Sequence, residues 1–251
     1  MAELQRPNSL TSTLELLITA RDCQINIQPL TDRLLTPEQW AKVRPDDPTS
    51  FLNRFIKENR EAVEALADQV QETKVMNDLA DRCAMFISHF HQEIDNAITR
   101  GAVPSGAGAR VYYERDATGG PLPFLGTHAA ILKEAERIVV GEAARLAAEG
   151  QGGVPMTMPS ATEVGAVRDE FRDARIAAGN AADKTDHERE DASGMYPEAH
   201  DLANDIIDTV EYANRKDKDA ASRRAKCARY GLKYYFAPGE TPDPAPTPTP
   251  Q

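Results

Sequence analysis

Apolar residues along most of the chain recur at intervals of three and four, which is the spacing of one face of an α-helix. The first such stretch lies between residues 14 and 25. Ser12 precedes it and Glu15 follows three positions later, so the two residues form a capping-box pattern. We predict a helix that Ser12 caps and that kinks or ends at Pro29, because proline lacks a backbone donor.

The next helices are predicted from start signals that precede helix-forming residues. Thr36 followed by Pro37 predicts a short helix containing Trp40, whose indole we interpret as part of the core. Residues 49–100 contain neither glycine nor proline, although the apolar stripe is interrupted at 72–74. One long helix with a change of face and two separate helices both fit this stretch.

Helices are also predicted in the C-terminal half of the chain. Thr127 caps one of them, and Ser160 opens a capping box for the next, which we expect to end in the polar, solvated segment 181–194. Helical patterns then cover 202–230 and stop at a glycine. Residues 232–236 follow as a short predicted strand.

Two segments interrupt the helical pattern by their composition. The Gly/Pro-rich connection 101–124 includes a flexible corner at Ser105–Arg110 and a short β-like run at 111–113. Loops of this length are uncommon unless they are functional, and both a crossover between helices and a binding loop fit it. The Pro/Thr-rich residues 238–251 lack the apolar area needed for folding, and we predict a disordered tail.

The overall composition also favours a helical fold. Aromatic residues make up only 6% of the chain, and there is a single tryptophan, whereas β-sandwiches are usually richer in aromatics. We predict an all-α fold, a helical bundle of four or more long helices with short extra helices. The bundle forms a single domain over 1–237, in two helical halves of about 10–100 and 125–235.

The charge of the chain limits its partners. Its 40 acidic and 29 basic residues give a formal net charge of −11, which opposes binding to nucleic acid and to anionic lipid. No apolar run approaches the roughly 18 residues of a membrane span, and the N-terminus lacks the pattern of a signal peptide. We therefore expect a soluble cytoplasmic protein, without membrane insertion, whose three cysteines are reduced.

The segment FISHFHQEID at Phe86–Asp95 contains two candidate metal ligands, His89 and Glu93. Successive residues of a helix are turned by about 100°, so His89 and His91 cannot both reach one ion. His89 shares a helix face with Glu93, at the spacing of a charge pair or of two metal ligands.

A divalent metal site needs at least one more ligand from another helix. The residues that could form it are His89, Glu93, His128 and His200. The chain lacks the Glu-x-x-His pairs of di-iron bundles and also the His-Glu-x-x-His and Cys-x-x-Cys motifs. We therefore predict no cofactor, keep a divalent metal as the alternative, and interpret the two neighbouring histidines as structural.

Other motifs for catalysis are absent from the sequence. The corner Ser105–Arg110 lacks the lysine of a phosphate-binding loop, and there is no Gly-x-Ser-x-Gly elbow. Cys227 lies among four cations, which lower a thiol pKa and favour a reactive thiolate. A buried core cysteine in a helix with cations in its last turn fits the same residues. The sequence thus favours a protein that is not an enzyme.

A basic run rich in tyrosine stands out near the C-terminus of this acidic chain. Charge segregated in this way guides a partner, or another copy of the chain, to an acidic surface such as Asp183–Asp191. A solvated helix face is the alternative. The candidate interaction residues are Arg223, Arg224, Lys226, Arg229, Tyr230, Tyr234 and Tyr235.

Four blocks carry a resemblance to other proteins: SRRAKCARYGLKYYFAPGE, FISHFHQEIDNAITRG, GEAARLAAEG and MPSATEV. Together they resemble a group of uncharacterised bacterial helical proteins. The resemblance implies a shared all-helical fold and no catalytic residues. Our leading hypothesis is a non-catalytic structural or interaction protein that binds another protein or itself through the basic, tyrosine-rich C-terminal surface. The alternative is a metal-binding helical bundle.

Overall fold

The computed structural model describes residues 2–103, 108–148 and 154–236. The predicted tail lies outside these ranges, and so does part of the predicted corner at 105–110. The same holds for part of residues 150–159, whose composition predicts a flexible turn. Within them, none of the helices is both long enough and apolar enough to span a membrane.

The described residues confirm the all-α class. The elements in chain order are β1 (Glu3–Gln5), α1 (Leu10–Asn26), α2 (Pro37–Val43), α3 (Phe51–Thr99), α4 (His128–Ala147), α5 (Ala161–Asn214), α6 (Ala220–Ala228) and β2 (Lys233–Tyr235), with 3₁₀ turns at Leu30–Asp32 and Val111–Tyr113. The strands β1 and β2 pair antiparallel, with Leu4 opposite Tyr234. The predicted C-terminal strand is therefore confirmed.

The chain packs into two compact units, and each has its own apolar core. Unit 1 comprises residues 1–64 and 186–251, and unit 2 comprises residues 65–185. Both boundaries fall inside the long helices α3 and α5. The connection 101–124, which the sequence analysis places between two halves, lies within unit 2.

The first helix begins earlier than the sequence pattern predicts. Ser9 is the N-cap of α1, and its hydroxyl accepts a hydrogen bond from the Ser12 backbone. Ser12 in turn bonds the Ser9 backbone from inside the helix, so the predicted cap at Ser12 is wrong by one turn. The helix ends at Asn26, before Pro29, as the missing backbone donor requires.

Three other predicted helix starts are confirmed by their hydrogen bonds. Thr36 caps α2 and Thr127 caps α4, each through its side-chain oxygen. Ser160 and Glu163 exchange the two bonds of a capping box at the start of α5. The stretch after Thr49 forms the single helix α3.

The polar segment 181–194 does not end a helix, contrary to the prediction. It lies in the middle of α5, which continues to Asn214 through an internal proline. The helix buries a narrow stripe of small residues at intervals of seven: Ala178, Thr185, Ala192 and Ala199. Because these residues are small and their neighbours are charged, an apolar pattern search misses the stripe.

Unit 2 brings a 3₁₀ turn against α4. The run at 111–113 is this turn, not the predicted β-like segment, and the buried Tyr113 ring explains its apolar pattern. Gly141 makes the contact close: a Cβ placed there would lie 2.3 Å from the Tyr112 carbonyl oxygen and 2.8 Å from Cδ1 of Tyr113. A side chain at this position would push the turn away.

We expect Gly141→Ala to lower the free energy of unfolding of unit 2 by about 1–3 kcal/mol, because the added methyl overlaps rigid backbone. Gly179→Ala is the matched control, since nothing lies within 4 Å of its Cβ position in α5. Alanine should stabilise that helix by about 0.5–1 kcal/mol. Urea unfolding followed by circular dichroism measures both, and equal effects of the two substitutions would contradict the close contact.

Candidate functional sites in the two units

A buried ion pair on α4 joins Glu142 and Arg145 in unit 2. Arg145 is fully buried and Glu142 is 4% exposed. The Arg145 Nε and Nη2 atoms each donate to a Glu142 oxygen at 2.8 Å. Glu142 also accepts hydrogen bonds from the Tyr113 hydroxyl and, at 2.9 Å, from the Met156 backbone. Arg145 donates to the Val154 carbonyl at 3.1 Å.

The hydrogen bonds of this network fix the protonation states of Glu142 and Tyr113. Burial opposes the charge of Glu142, but hydrogen bonds from Arg145, Tyr113 and the Met156 backbone outweigh it and lower the pKa of the carboxyl. Burial and the adjacent carboxylate raise the pKa of Tyr113. Glu142 therefore stays ionised and Tyr113 stays protonated near neutral pH, which suits a structural clamp.

A second polar chain leads from the interior of unit 2 to its surface. His91 is fully buried, and its Nε2 lies 2.9 Å from Glu134 Oε1. Arg137 donates from Nη1 to the other Glu134 oxygen at 3.0 Å and also pairs with the exposed Glu114. Burial of Glu134 opposes its charge, but the bonds from His91 and Arg137 prevail and lower its pKa.

Two atoms of the network formed by His91, Glu134 and Arg137 have no hydrogen-bond partner among the described residues. They are His91 Nδ1 and Arg137 Nε, and both are buried. Of the two neighbouring histidines, His91 is thus buried beside the core and His89 is exposed. Glu134, the buried partner of His91, was not recognised from the sequence.

Asp95 anchors the loop that follows the 3₁₀ turn. Arg110 donates to it from Nε at 2.7 Å, and Arg115 donates from Nη2 at 3.0 Å. The Arg115 side chain is only 6% exposed. The two guanidinium groups outweigh partial burial and lower the pKa of Asp95.

An open pocket of about 360 Å³ lies between this loop and α4. One wall is formed by the loop residues Pro121, Pro123 and Phe124, and the opposite wall by α4. Glu134, the inner carboxylate of the polar chain, is among the residues that line the pocket. The pocket therefore joins an apolar wall to a buried charged group, which is common in ligand sites.

The candidate metal ligands occupy separate surroundings. Glu93 pairs with Arg100 at 2.6 Å, and the His128 ring packs edge-on against Phe171 in unit 2. His200 belongs to unit 1, where Nδ1 lies 3.1 Å from the Asn204 amide.

Among residues 2–103, 108–148 and 154–236, the group with metal-ligand spacing is Glu58, Glu61 and Glu188. It contains no histidine, and Lys57 forms ion pairs with two of its members. An ion at His89 and Glu93 remains a prediction from the sequence.

The candidate interaction residues of unit 1 divide into buried and accessible groups. Tyr230 is 1% exposed, and its hydroxyl donates to Gln24 at 3.2 Å. Tyr234 is half-buried and donates to Glu211 at 3.3 Å, and Lys226 pairs with Asp217 at 2.7 Å. Tyr230 thus belongs to the core of unit 1 rather than to its surface.

The reactive-thiol interpretation of Cys227 does not hold. The residue is fully buried, and burial raises the pKa of its thiol above the ordinary value, contrary to the lowering expected from nearby cations. The alternative of a small core residue is correct.

The accessible residues form what we call the cationic–aromatic surface of unit 1. The Arg215 guanidinium lies 3.8 Å from the centre of the Tyr212 ring, and Arg224 lies 5.5 Å from that of Phe236. Tyr212 and Tyr235 are 64% and 70% exposed. The members of the surface are Tyr212, Arg215, Arg223, Arg224, Tyr235 and Phe236; the carboxylates Asp208 and Glu211 lie beside Tyr212, whereas Arg229 lies beside Asp32 and Tyr230. Sequence reasoning missed Tyr212, which lies three positions before Arg215, the first cation of the basic run.

The buried carboxylate of unit 2 predicts how stability depends on pH. Because the Glu142 pKa is lowered in the folded state, the group stabilises the fold above its ordinary pKa of 4.5, and this contribution is lost as the pH falls below 4.5. Glu142→Gln should cost about 3–5 kcal/mol at pH 7, because it leaves Arg145 buried without a counter-charge. Urea unfolding between pH 3 and pH 7 should show the difference from the unmodified protein shrinking in acid.

Glu136→Gln on the same helix is the control. Glu136 pairs with Arg168, and its side chain is 54% exposed, so its loss should cost less than about 1 kcal/mol. Stability curves of Glu142→Gln and the unmodified protein that stay parallel down to pH 3 would contradict an ionised, stabilising Glu142.

Comparison with known proteins adds no assignment to these sites. No protein-family model matches the chain, and no similar curated protein or solved structure was found. The functional proposals therefore depend on the contacts, burial and charge of the described residues.

Proposed function

We propose that the protein is a non-catalytic interaction protein that associates with further copies of itself through unit 1. The observation that carries this proposal is the cationic–aromatic surface, where Arg215 stacks on the exposed Tyr212 ring and Arg224 lies over the half-buried Phe236 ring. Aromatic area that stays in water contributes no hydrophobic free energy to folding, whereas covering it in a contact contributes to binding.

The chemistry of this surface supports a protein partner. Arginine and tyrosine are enriched at protein interfaces and among the residues that dominate binding energy. A guanidinium already stacked on a ring loses less conformational entropy when a partner binds than a free one does. Arg215 on Tyr212 and Arg224 on Phe236 are stacked in this way.

Charge favours an acidic contact on the partner. The whole chain carries −11, so two copies repel one another unless a basic surface meets an acidic one. On α5, the segment 186–191 presents Asp186, Glu190 and Asp191 to solvent. Asp186 and Glu190 have no ion-pair partner within the described ranges, which leaves both carboxylates available.

A contact of this kind joins two different surfaces of the same chain. Such head-to-tail association builds rings when the rotation closes and filaments when it does not. It also predicts that each surface can be disrupted separately, and that complementary changes on the two surfaces restore the contact.

We expect Arg223→Glu with Arg224→Glu to weaken self-association by about tenfold or more, because like charges then face each other. Native mass spectrometry and sedimentation velocity at low and high salt measure the change, and salt should weaken the unmodified assembly as well. Arg60→Glu is the control: it removes an exposed cation of α3 in unit 1 that pairs with Glu64 at 3.5 Å, and it should leave association unchanged.

A charge exchange tests the identity of the partner surface. Asp186→Lys with Glu190→Lys should weaken association to a similar extent, and a mixture of this variant with the Arg223→Glu, Arg224→Glu variant should assemble again. A monomer at all concentrations would refute self-association. Mixed variants that stay apart while the basic variant alone loses assembly would refute the acidic segment as the partner.

A further inference from the structure

The pocket of unit 2 has features that the self-association of unit 1 does not use. One face of α4 lines it with Ala130, Lys133, Glu134 and Arg137, at the spacing of residues that share a helix face. The opposite wall includes Phe124, which is 78% exposed. The volume of the pocket, about 360 Å³, lies in the range of small-molecule sites, roughly 300–1,000 Å³.

The charges around the pocket are balanced, and most of them are already paired. Arg115 is held by Asp95, and Arg137 bridges Glu134 and Glu114. Asp116 accepts hydrogen bonds from the backbone and hydroxyl of Thr118 within its own loop.

Two groups keep free binding capacity. Lys133 is exposed and has no hydrogen bond or ion pair with any residue of the described ranges. Each Glu134 oxygen accepts one hydrogen bond, from His91 or from Arg137, and a carboxylate oxygen can accept two. The pocket thus offers one cation and one buried acceptor on neighbouring residues of α4.

We propose that this pocket binds a free α-amino acid with an apolar side chain. The carboxylate of the ligand pairs with Lys133, its ammonium group donates to Glu134, and its side chain covers Phe124 and the two prolines. A ligand with only one charge would leave either Lys133 without a partner or the remaining acceptor capacity of Glu134 unused, and a polar side chain would not cover the exposed ring.

The physical reason for selectivity is that the carboxylate and the ammonium group of the ligand each bind a charged side chain of the pocket. Charge-assisted hydrogen bonds are stronger than neutral ones, and more so beside a buried carboxylate where water is partly excluded. The Arg137 bond keeps the Glu134 carboxylate in place, so the acceptor is oriented before the ligand arrives.

Isothermal titration calorimetry of the full chain tests the proposal, with L-phenylalanine and L-leucine as probes. N-acetyl-L-phenylalanine lacks the ammonium charge, and L-phenylalaninamide lacks the carboxylate. We expect the two amino acids to bind and each derivative to bind at least about tenfold more weakly, which corresponds to about 1.4 kcal/mol.

Two substitutions with matched controls locate the binding. Lys133→Gln should weaken L-phenylalanine binding about tenfold, whereas Lys74→Gln, at an exposed lysine of α3 in unit 2, should not. Phe124→Ser should weaken binding as well, and Ile176→Ser, at a residue 57% exposed on α5, should not. Both pocket residues are exposed, so these variants should fold.

Absence of heat with both amino acids at millimolar concentration would overturn the proposal. So would derivatives that bind as tightly as L-phenylalanine, or a Lys133→Gln variant with unchanged affinity. Because the experiment reads ligand binding and not assembly, these outcomes are independent of whether unit 1 self-associates.

Discussion

The buried pair between Glu142 and Arg145 is the interaction on which the arrangement of unit 2 depends. It is not a strong source of net stability, because removing two charges from water costs about as much as their attraction returns. Its effect is to specify geometry. The Tyr113 hydroxyl and the backbone of residues 154–156 must occupy their observed positions to form hydrogen bonds with Glu142 and Arg145. Gly141 allows the turn at 111–113 to come close enough for this.

The pocket follows from the same constraint. Once Tyr113 is fixed against α4, the chain that leaves the turn runs along that helix. Arg115 fastens it to Asp95, and Arg110, which also bonds Asp95, donates to the Ala117 carbonyl. The loop then stands opposite Lys133 and Glu134. A site built on a helix and on a loop held at several points keeps its geometry better than a loop alone would.

Apolar pattern and capping residues predicted the helix starts at Thr36, Thr127 and Ser160, because these signals are local. They failed where burial depended on distant partners. Glu134, Glu142 and Arg145 carry charges, and a pattern search therefore places them in solvent. His91 and Tyr113, which lie more than 25 residues away in sequence, supply part of the hydrogen bonds that these buried charges need. Small buried residues such as Ala192 were missed for a different reason: alanine gives no clear apolar signal.

The C-terminal tyrosines demonstrate the same limit for function. Tyr230 and Tyr235 stand five positions apart in one basic run, and composition alone assigns both to an interface. Tyr230 instead ties Gln24 and the Leu34 backbone into the core of unit 1, while Tyr235 is 70% exposed at the end of β2. The difference arises because α6 turns Cys227 inward and the turn after this helix brings Tyr230 to the same core, whereas the pairing of β2 with β1 directs alternate side chains outward. Which residues of a charged, aromatic segment can meet a partner is thus decided by the secondary structure in which each residue lies.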